Sequence, residues 1–193
     1  MELKTLIFDK AGKHNTEATL RIAKERALAL GIKQVVVASS HGYTARQAQA
    51  LFAPAGIKVI TVSICHSWES EGWTMSPGTK AELEGLGITV HTGIHALGEG
   101  VGSAFSEKYG GQVPEEIVRD TLYCFSQGMK VAVECVLMAA DAGLLDMSQE
   151  VIAIAGTSSG ADTAIVCKPA YPRTFHDLQI RELLAKPRVP EVI

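Results

Sequence analysis

IKQVVVASSHGYTARQAQALFAPAGIKVITVS, residues 32–63, is the stretch whose reading decides the fold. Within it Gln34–Ala38 (QVVVA) is an apolar, β-branched run, the composition of a strand covered on both faces. The polar loop Ser39–Thr44 follows. Ala45–Ala53 reads as a helix stopped by Pro54 and Gly56, and Lys58–Ile64 (KVITVSI) is the next β run. Strand, helix and strand in that order specify a crossover unit, because parallel neighbours need a connection long enough to pass over the sheet.

Working outward, the pattern repeats. Leu3–Phe8 is a short apolar strand, and it leads through Asp9, Gly12 and Asn15 into Thr16–Leu30, where Leu20, Ala23, Ala27 and Leu30 recur at helical spacing. Asn15 is placed to cap that helix and Gly31 to close it. Beyond residue 64, His66–Gly78 is irregular, Thr79–Leu86 is helical and Ile88–His91 is a brief strand. Gly93–Gly111 reads as helix interrupted by flexible backbone; its Gly98, Gly100 and Gly102 lack the later third glycine of a dinucleotide fingerprint. Pro114 opens a helix over Glu115–Phe125, and Met129–Ala142, apolar nearly all round, is a central helix. Val151–Ala155 and Ala164–Cys167 are joined by a connection too short for a crossover, so the second is expected antiparallel to the first. The tail from Pro169 is expected to wrap outside, and residues 1–193 to form one domain with a mostly parallel mixed sheet.

Composition narrows the function classes. With 47% hydrophobic and 20% charged residues, the chain can bury a core. A net charge of -3, spread along the chain, argues against nucleic acid as a partner. The N-terminus lacks the pattern of a signal peptide and no run is long enough to span a membrane, so a cytoplasmic location is expected. Cys65, Cys124, Cys135 and Cys167 stand singly in apolar surroundings, the pattern of buried reduced thiols. A symmetric homo-oligomer is the default assembly for a small domain of this class.

In open parallel sheets ligands bind beyond the carboxyl ends of the strands, where free N–H groups of helix N-termini favour anions. Ser39-Ser40-His41-Gly42-Tyr43-Thr44 sets hydroxyls around a glycine just before a helix, which suits a phosphate and equally suits a helix cap with a tight turn. Gly156–Thr163 carries two glycines, Thr157, Ser158, Ser159, Asp162 and Thr163, more small polar residues than a plain hairpin requires. Asn15 and Thr16 reach the same edge if the first three strands are neighbours. His66 at the end of the third strand is placed to contact a ligand or transfer a proton, or is a half-exposed polar tip. His91 and His95 are four apart but lack an attendant carboxylate, so no metal is expected. Lys130 and Glu134 read as an i,i+4 ion pair on a partly exposed face. Ser158 is the nucleophile that a hydrolase reading would require, although no helix follows it.

The stretch 32–63 resembles the part of the pyruvate kinase C-terminal domain that runs strand, Thr-x-Ser-Gly-x-Ser loop, helix, strand. More widely, NTEATLRIAKERA from Asn15, MAADAG from Met138 and GADTAIVCKPA from Gly160 make the chain similar to small stand-alone proteins described as pyruvate kinase C-terminal-domain-like. The resemblance implies a three-layer α/β/α sandwich and a phosphate site at Ser39, Ser40, Gly42, Tyr43 and Thr44. In the full-length kinase that loop takes a sugar phosphate as an allosteric ligand, and the stand-alone relatives look like binders of flavin mononucleotide (FMN). A counterpart of the kinase's catalytic barrel is missing here, so pyruvate kinase activity is not expected. His41 and Tyr43 replace the basic or serine residues of the kinase loop, which turns the expectation from sugar phosphate to FMN. Asn15, Thr16, His66 and Gly156–Thr163 are expected around the rest of that ligand, and Trp68 and Trp73 are candidates for an aromatic wall. A flavin-dependent oxidoreductase and a sugar-phosphate-responsive regulatory module are the alternatives.

Overall fold

A computed structural model of the chain describes residues 2–190; the ends of the expected 1–193 domain lie outside them. Seven strands are β1 (Leu6–Phe8), β2 (Gln34–Ala38), β3 (Lys58–Ser63), β4 (Thr89–Thr92), β5 (Val151–Ala155), β6 (Thr163–Lys168) and β7 (Gln179–Pro187). They form one sheet in the order β1-β7-β6-β5-β2-β3-β4. Only β6 runs against its neighbours, as the short connection from β5 requires. The helices are α1 (Thr16–Leu30), α2 (Tyr43–Phe52), α3 (Pro77–Gly85), α4 (Val101–Tyr109), α5 (Pro114–Tyr123) and α6 (Gln127–Asp141).

The period-two alternation of the strands divides the interior into two cores. On one face Val35, Val37, Ile152 and Ile154 meet Leu20 and Ala23 of α1, Ala48 and Phe52 of α2 and Leu83 of α3. On the other, Val36, Ile60, Ala153 and Ile165 meet α6 from Met129 to Ala140, with Val118 and Leu122 of α5 packed against it. The result is an α/β/α sandwich. In α6 every residue from Gly128 to Ala140 except Val131 is buried, the consequence of a helix pressed between the sheet and a further helix.

Three expectations are corrected. The tail does not wrap outside: β7 inserts between β1 and β6, pairing parallel with the first and antiparallel with the second. Arg26 on α1 anchors it through a two-point contact with Glu182, Nε to Oε2 at 2.6 Å and Nη2 to Oε1 at 2.5 Å. The first three strands are not all neighbours, since β1 lies at the far edge from β3. Cys124 is exposed, whereas Cys65, Cys135 and Cys167 are buried. Burial pushes the Cys167 thiol up to about 12 and raises that of Cys135 as well, so both stay protonated at neutral pH.

Local boundaries move by a turn at most. Ser76 caps α3 by accepting the Thr79 N–H at 3.1 Å, with Pro77 in its first turn, so the helix begins two residues before the expected Thr79. Ser126 caps α6 in the same way through Met129 N–H at 2.9 Å. Asn15 precedes α1 but makes no side-chain cap; its Nδ2 donates to the Lys10 carbonyl at 2.7 Å and fixes the loop after β1 instead.

Candidate functional site

Between β2 and β5 the direction of winding reverses: β2 leads through α2 on one face, and β5 is fed by α6 on the other. Such a switch point opens a crevice at the carboxyl ends of the strands. A cavity of about 910 Å³ lies there, lined from the tips of β2 and β3, the loop after β5, and α6.

Ser39, Ser40, Tyr43 and Thr44 line it after β2, and Gly156, Ser158, Ser159 and Gly160 line it after β5. Tyr43 and Thr44 open α2, where backbone N–H groups have no partner within the helix. Ser39 is partly committed, since its Oγ accepts the Ala45 N–H at 3.4 Å. Gly42, at φ 82°, turns the chain into α2, and a Cβ there would lie 3.0 Å from Thr79 Cγ2. The Lys13 ammonium sits 3.9 Å above the Tyr43 ring. At the tip of β3, Ser63 lines the cavity with a buried hydroxyl that has no hydrogen-bond partner among the described residues.

Other residues expected around the ligand organise the loop from behind. Asp162 is fully buried; its Oδ2 accepts the N–H of Gly12 at 2.8 Å and of Thr157 at 3.1 Å, and its Oδ1 accepts the Thr163 hydroxyl at 2.9 Å. Thr163 lies 3.1 Å from the Ser126 hydroxyl that caps α6. Thr16 Oγ1 donates to Lys13 O at 2.6 Å and accepts Ala161 N–H at 3.0 Å. These bonds bring Asn15 and Thr16 to the β5 loop without any adjacency of β1 to β2. Gly160 (φ 73°) is required where the loop crosses Lys13, and Ser158 alone among described non-glycine residues has a positive φ, 63°. Asn15, Thr16, Gly42, Thr157, Asp162 and Thr163 therefore stand beside the cavity and not on its lining.

A second cluster centres on Glu99, a residue that the sequence pattern alone did not single out. Trp68 Nε1 donates to Glu99 Oε1 at 2.8 Å, His95 Nδ1 lies 2.8 Å from the same oxygen, and Cys65 Sγ donates to Oε2 at 3.3 Å. Burial raises the Glu99 pKa, but the contacts from His95, Cys65 and Trp68 together outweigh it and hold the carboxyl below its ordinary range. Trp68 in turn stacks on Trp73 with ring centroids 4.9 Å apart and planes inclined by 17°. Both indoles, His95 and Glu99 line the cavity. The signal was faint: a glutamate between Gly98 and Gly100, four residues after a histidine.

On α6, the expectation of a partly exposed Lys130–Glu134 pair is overturned. The side chains are 8% and 1% exposed, Nζ lies 2.6 Å from Oε2, and both residues line the cavity. Glu134 Oε1 also accepts the Leu97 N–H at 3.0 Å, tying the glycine-rich segment to α6. The i,i+4 spacing predicted the pair, while its burial depends on α5 and that segment lying over it.

His66 begins a short 3-10 turn after β3, and its side chain is exposed, 4.0 Å from Glu69, off the cavity lining. His91 lies in β4, where burial lowers its pKa against the opposing field of Asp141, with Lys80 adding to the lowering. Among the described residues no three His, Cys, Asp or Glu are grouped to hold a metal ion. Ser158 is followed by β6 and not by a helix, so the strand–turn–helix context of a hydrolase elbow is missing. No helix among the described residues is long and apolar enough to cross a membrane.

The sequence profile of the family described as pyruvate kinase, alpha/beta domain, matches residues 17–167. That span runs from the second residue of α1 to the penultimate residue of β6 and includes both loops of the cavity. With the sheet order and the crevice at its switch point, the match makes this chain a member of the pyruvate kinase alpha/beta domain family.

Proposed function

We propose that the cavity binds a small phosphate monoester, FMN foremost, as a binding function without pyruvate kinase catalysis. The observation that carries this reading is the meeting of two hydroxyl-rich loops at the start of α2, with the unpartnered Ser63 hydroxyl beside them. A phosphate monoester needs directed N–H and O–H donors, and Ser40, Thr44 and the first turn of α2 offer both kinds.

Charge supports a monoester over a bisphosphate. The lining carries two fixed cations, Arg119 and Lys130, against three carboxylates, Glu99, Glu107 and Glu134. Arg119 is already 2.8 Å from Asp120, and Lys130 is paired with Glu134. A bisphosphate would bring several negative charges to a surface with no cationic excess. The stacked Trp68–Trp73 pair, fixed through Trp68 to Glu99, supplies an aromatic wall for a ring system, and about 910 Å³ falls in the range of cofactor sites. Bound there, FMN would supply redox chemistry, which the chain's own side chains do not provide.

The test is an absorbance spectrum of the protein purified without added ligand, followed by FMN titration with flavin fluorescence as the signal. A co-purified flavin, or saturable quenching by stoichiometric protein, is expected. Absence of both would remove FMN and return sugar phosphates to first place.

A further inference from the structure

Lys130 has more hydrogen-bond donors than the described residues engage. An ammonium has three N–H donors, and a buried one is costly unless they are satisfied. The Lys130 side chain is 8% exposed, and its neighbours include Glu134 Oε2 at 2.6 Å and the Tyr123 ring, 5.7 Å to the centroid. That contact neutralises the charge and engages one of the three donors, and no other side-chain or backbone acceptor for Nζ is found among the described residues. Glu134 is held through its other oxygen by Leu97 N–H at 3.0 Å, which fixes the direction from which it pairs with Lys130. Lys130, Glu134 and Tyr123 all line the cavity.

From this geometry we propose that Lys130 is a ligand-binding cation, donating to an oxygen acceptor of the cavity's occupant while Glu134 holds it in place. The occupant's acceptor is a phosphate oxygen or a ring carbonyl, either of which accepts from an ammonium. The inference deepens the proposed FMN reading and rests on it for the choice of first probe. His95 lines the same cavity with its Nδ1 engaged by Glu99 and no Nε2 partner among the described residues. Lys130 differs from Arg119, whose Nε is engaged by Asp120 at the surface.

The experiment compares FMN, riboflavin and orotate binding to the full chain and to two variants, E134Q and K130M/E134Q. The double substitution removes both charges at once and keeps an acceptor for Leu97 N–H, so no carboxylate is stranded. At least tenfold weaker FMN binding in K130M/E134Q than in E134Q is expected, E134Q being the reference in which the carboxylate is already gone. If riboflavin weakens equally, Lys130 reads a ring carbonyl; if only FMN weakens, it reads the phosphate; both results support the inference. Unchanged FMN affinity in K130M/E134Q overturns it while leaving the FMN reading intact. If the unsubstituted protein binds no flavin, the FMN reading fails, and orotate decides: Lys130-dependent orotate binding sustains the inference, and its absence overturns it. Should K130M/E134Q not fold, reductive methylation of Lys130 in the unsubstituted protein decides instead: protection by any of the same three probes supports the inference, and protection by none of them overturns it.

Discussion

The carboxylate of Asp162 accepts the backbone N–H of Gly12 at 2.8 Å, joining residues 150 positions apart. With its bonds to Thr157 N–H and the Thr163 hydroxyl, it couples the loop after β1 to the loop after β5 and so sets one wall of the cavity. Asp162→Ala strands the buried Thr157 N–H and the half-buried Gly12 N–H, and a buried donor alone costs roughly 1–3 kcal/mol, so a loss of about 3 kcal/mol is expected. Urea denaturation checks it: the midpoint should fall with little change in slope. A fall smaller than that of Thr157→Val would refute the organising role.

Gly128 presses the start of α6 against that carboxylate. A Cβ at Gly128 would fall onto Thr163 Oγ1 and lie 3.0 Å from Asp162 Oδ1. Alanine is the better helix former by about 1 kcal/mol, but overpacking a buried contact costs about 1–3 kcal/mol. The steric loss should win, and Gly128→Ala should lower the thermal midpoint by a few degrees. A raised midpoint would show that α6 can retreat freely.

The parts of this fold that were legible in the sequence are those fixed by local chemistry. QVVVA and VIAIA are covered on both faces whatever their partners, and the strand–helix alternation needs no knowledge of register. By contrast, β7 ends in Pro187 and becomes a strand only because β1 and β6 flank it, a pairing made across nearly the whole chain. The hydroxyl loops were visible as composition, but composition did not separate Ser40 and Thr44 on the lining from Thr157 and Asp162 behind it. Glu99 was missed because its donors, Cys65 and Trp68, lie 34 and 31 positions away.

Acid should release the Glu99 cluster. Its folded pKa lies below the ordinary 4.5, so the carboxylate contributes stability that is fully present above the unfolded value and is lost as pH falls through the folded one. Below pH 4.5, the unsubstituted protein should therefore lose stability more steeply than Glu99→Gln. Tryptophan emission should shift over the same window, because the Trp68 indole then donates to a neutral carboxyl and no longer to a charged one. Parallel stability curves for the two proteins would place the acid sensitivity elsewhere.

Ser39 and Thr44 should separate capping from binding. Ser39 Oγ accepts Ala45 N–H at 3.4 Å, so Ser39→Ala leaves a first-turn donor of α2 without its partner and should cost stability, by about 0.5–1.5 kcal/mol, more than it costs ligand affinity. Thr44, on the lining and 3% exposed, makes no side-chain bond to the described residues, so its hydroxyl is available to a phosphate. Thr44→Ala and Ser40→Ala should each weaken FMN by about 1–3 kcal/mol, the loss of a hydrogen bond to a charged group, with thermal midpoints nearly unchanged. Riboflavin, which has the ring but no phosphate, should bind the two variants as it binds the unsubstituted protein. Equal losses for FMN and riboflavin would move the phosphate away from the start of α2, and Ser158→Ala and Ser159→Ala would then be measured against the same pair of ligands.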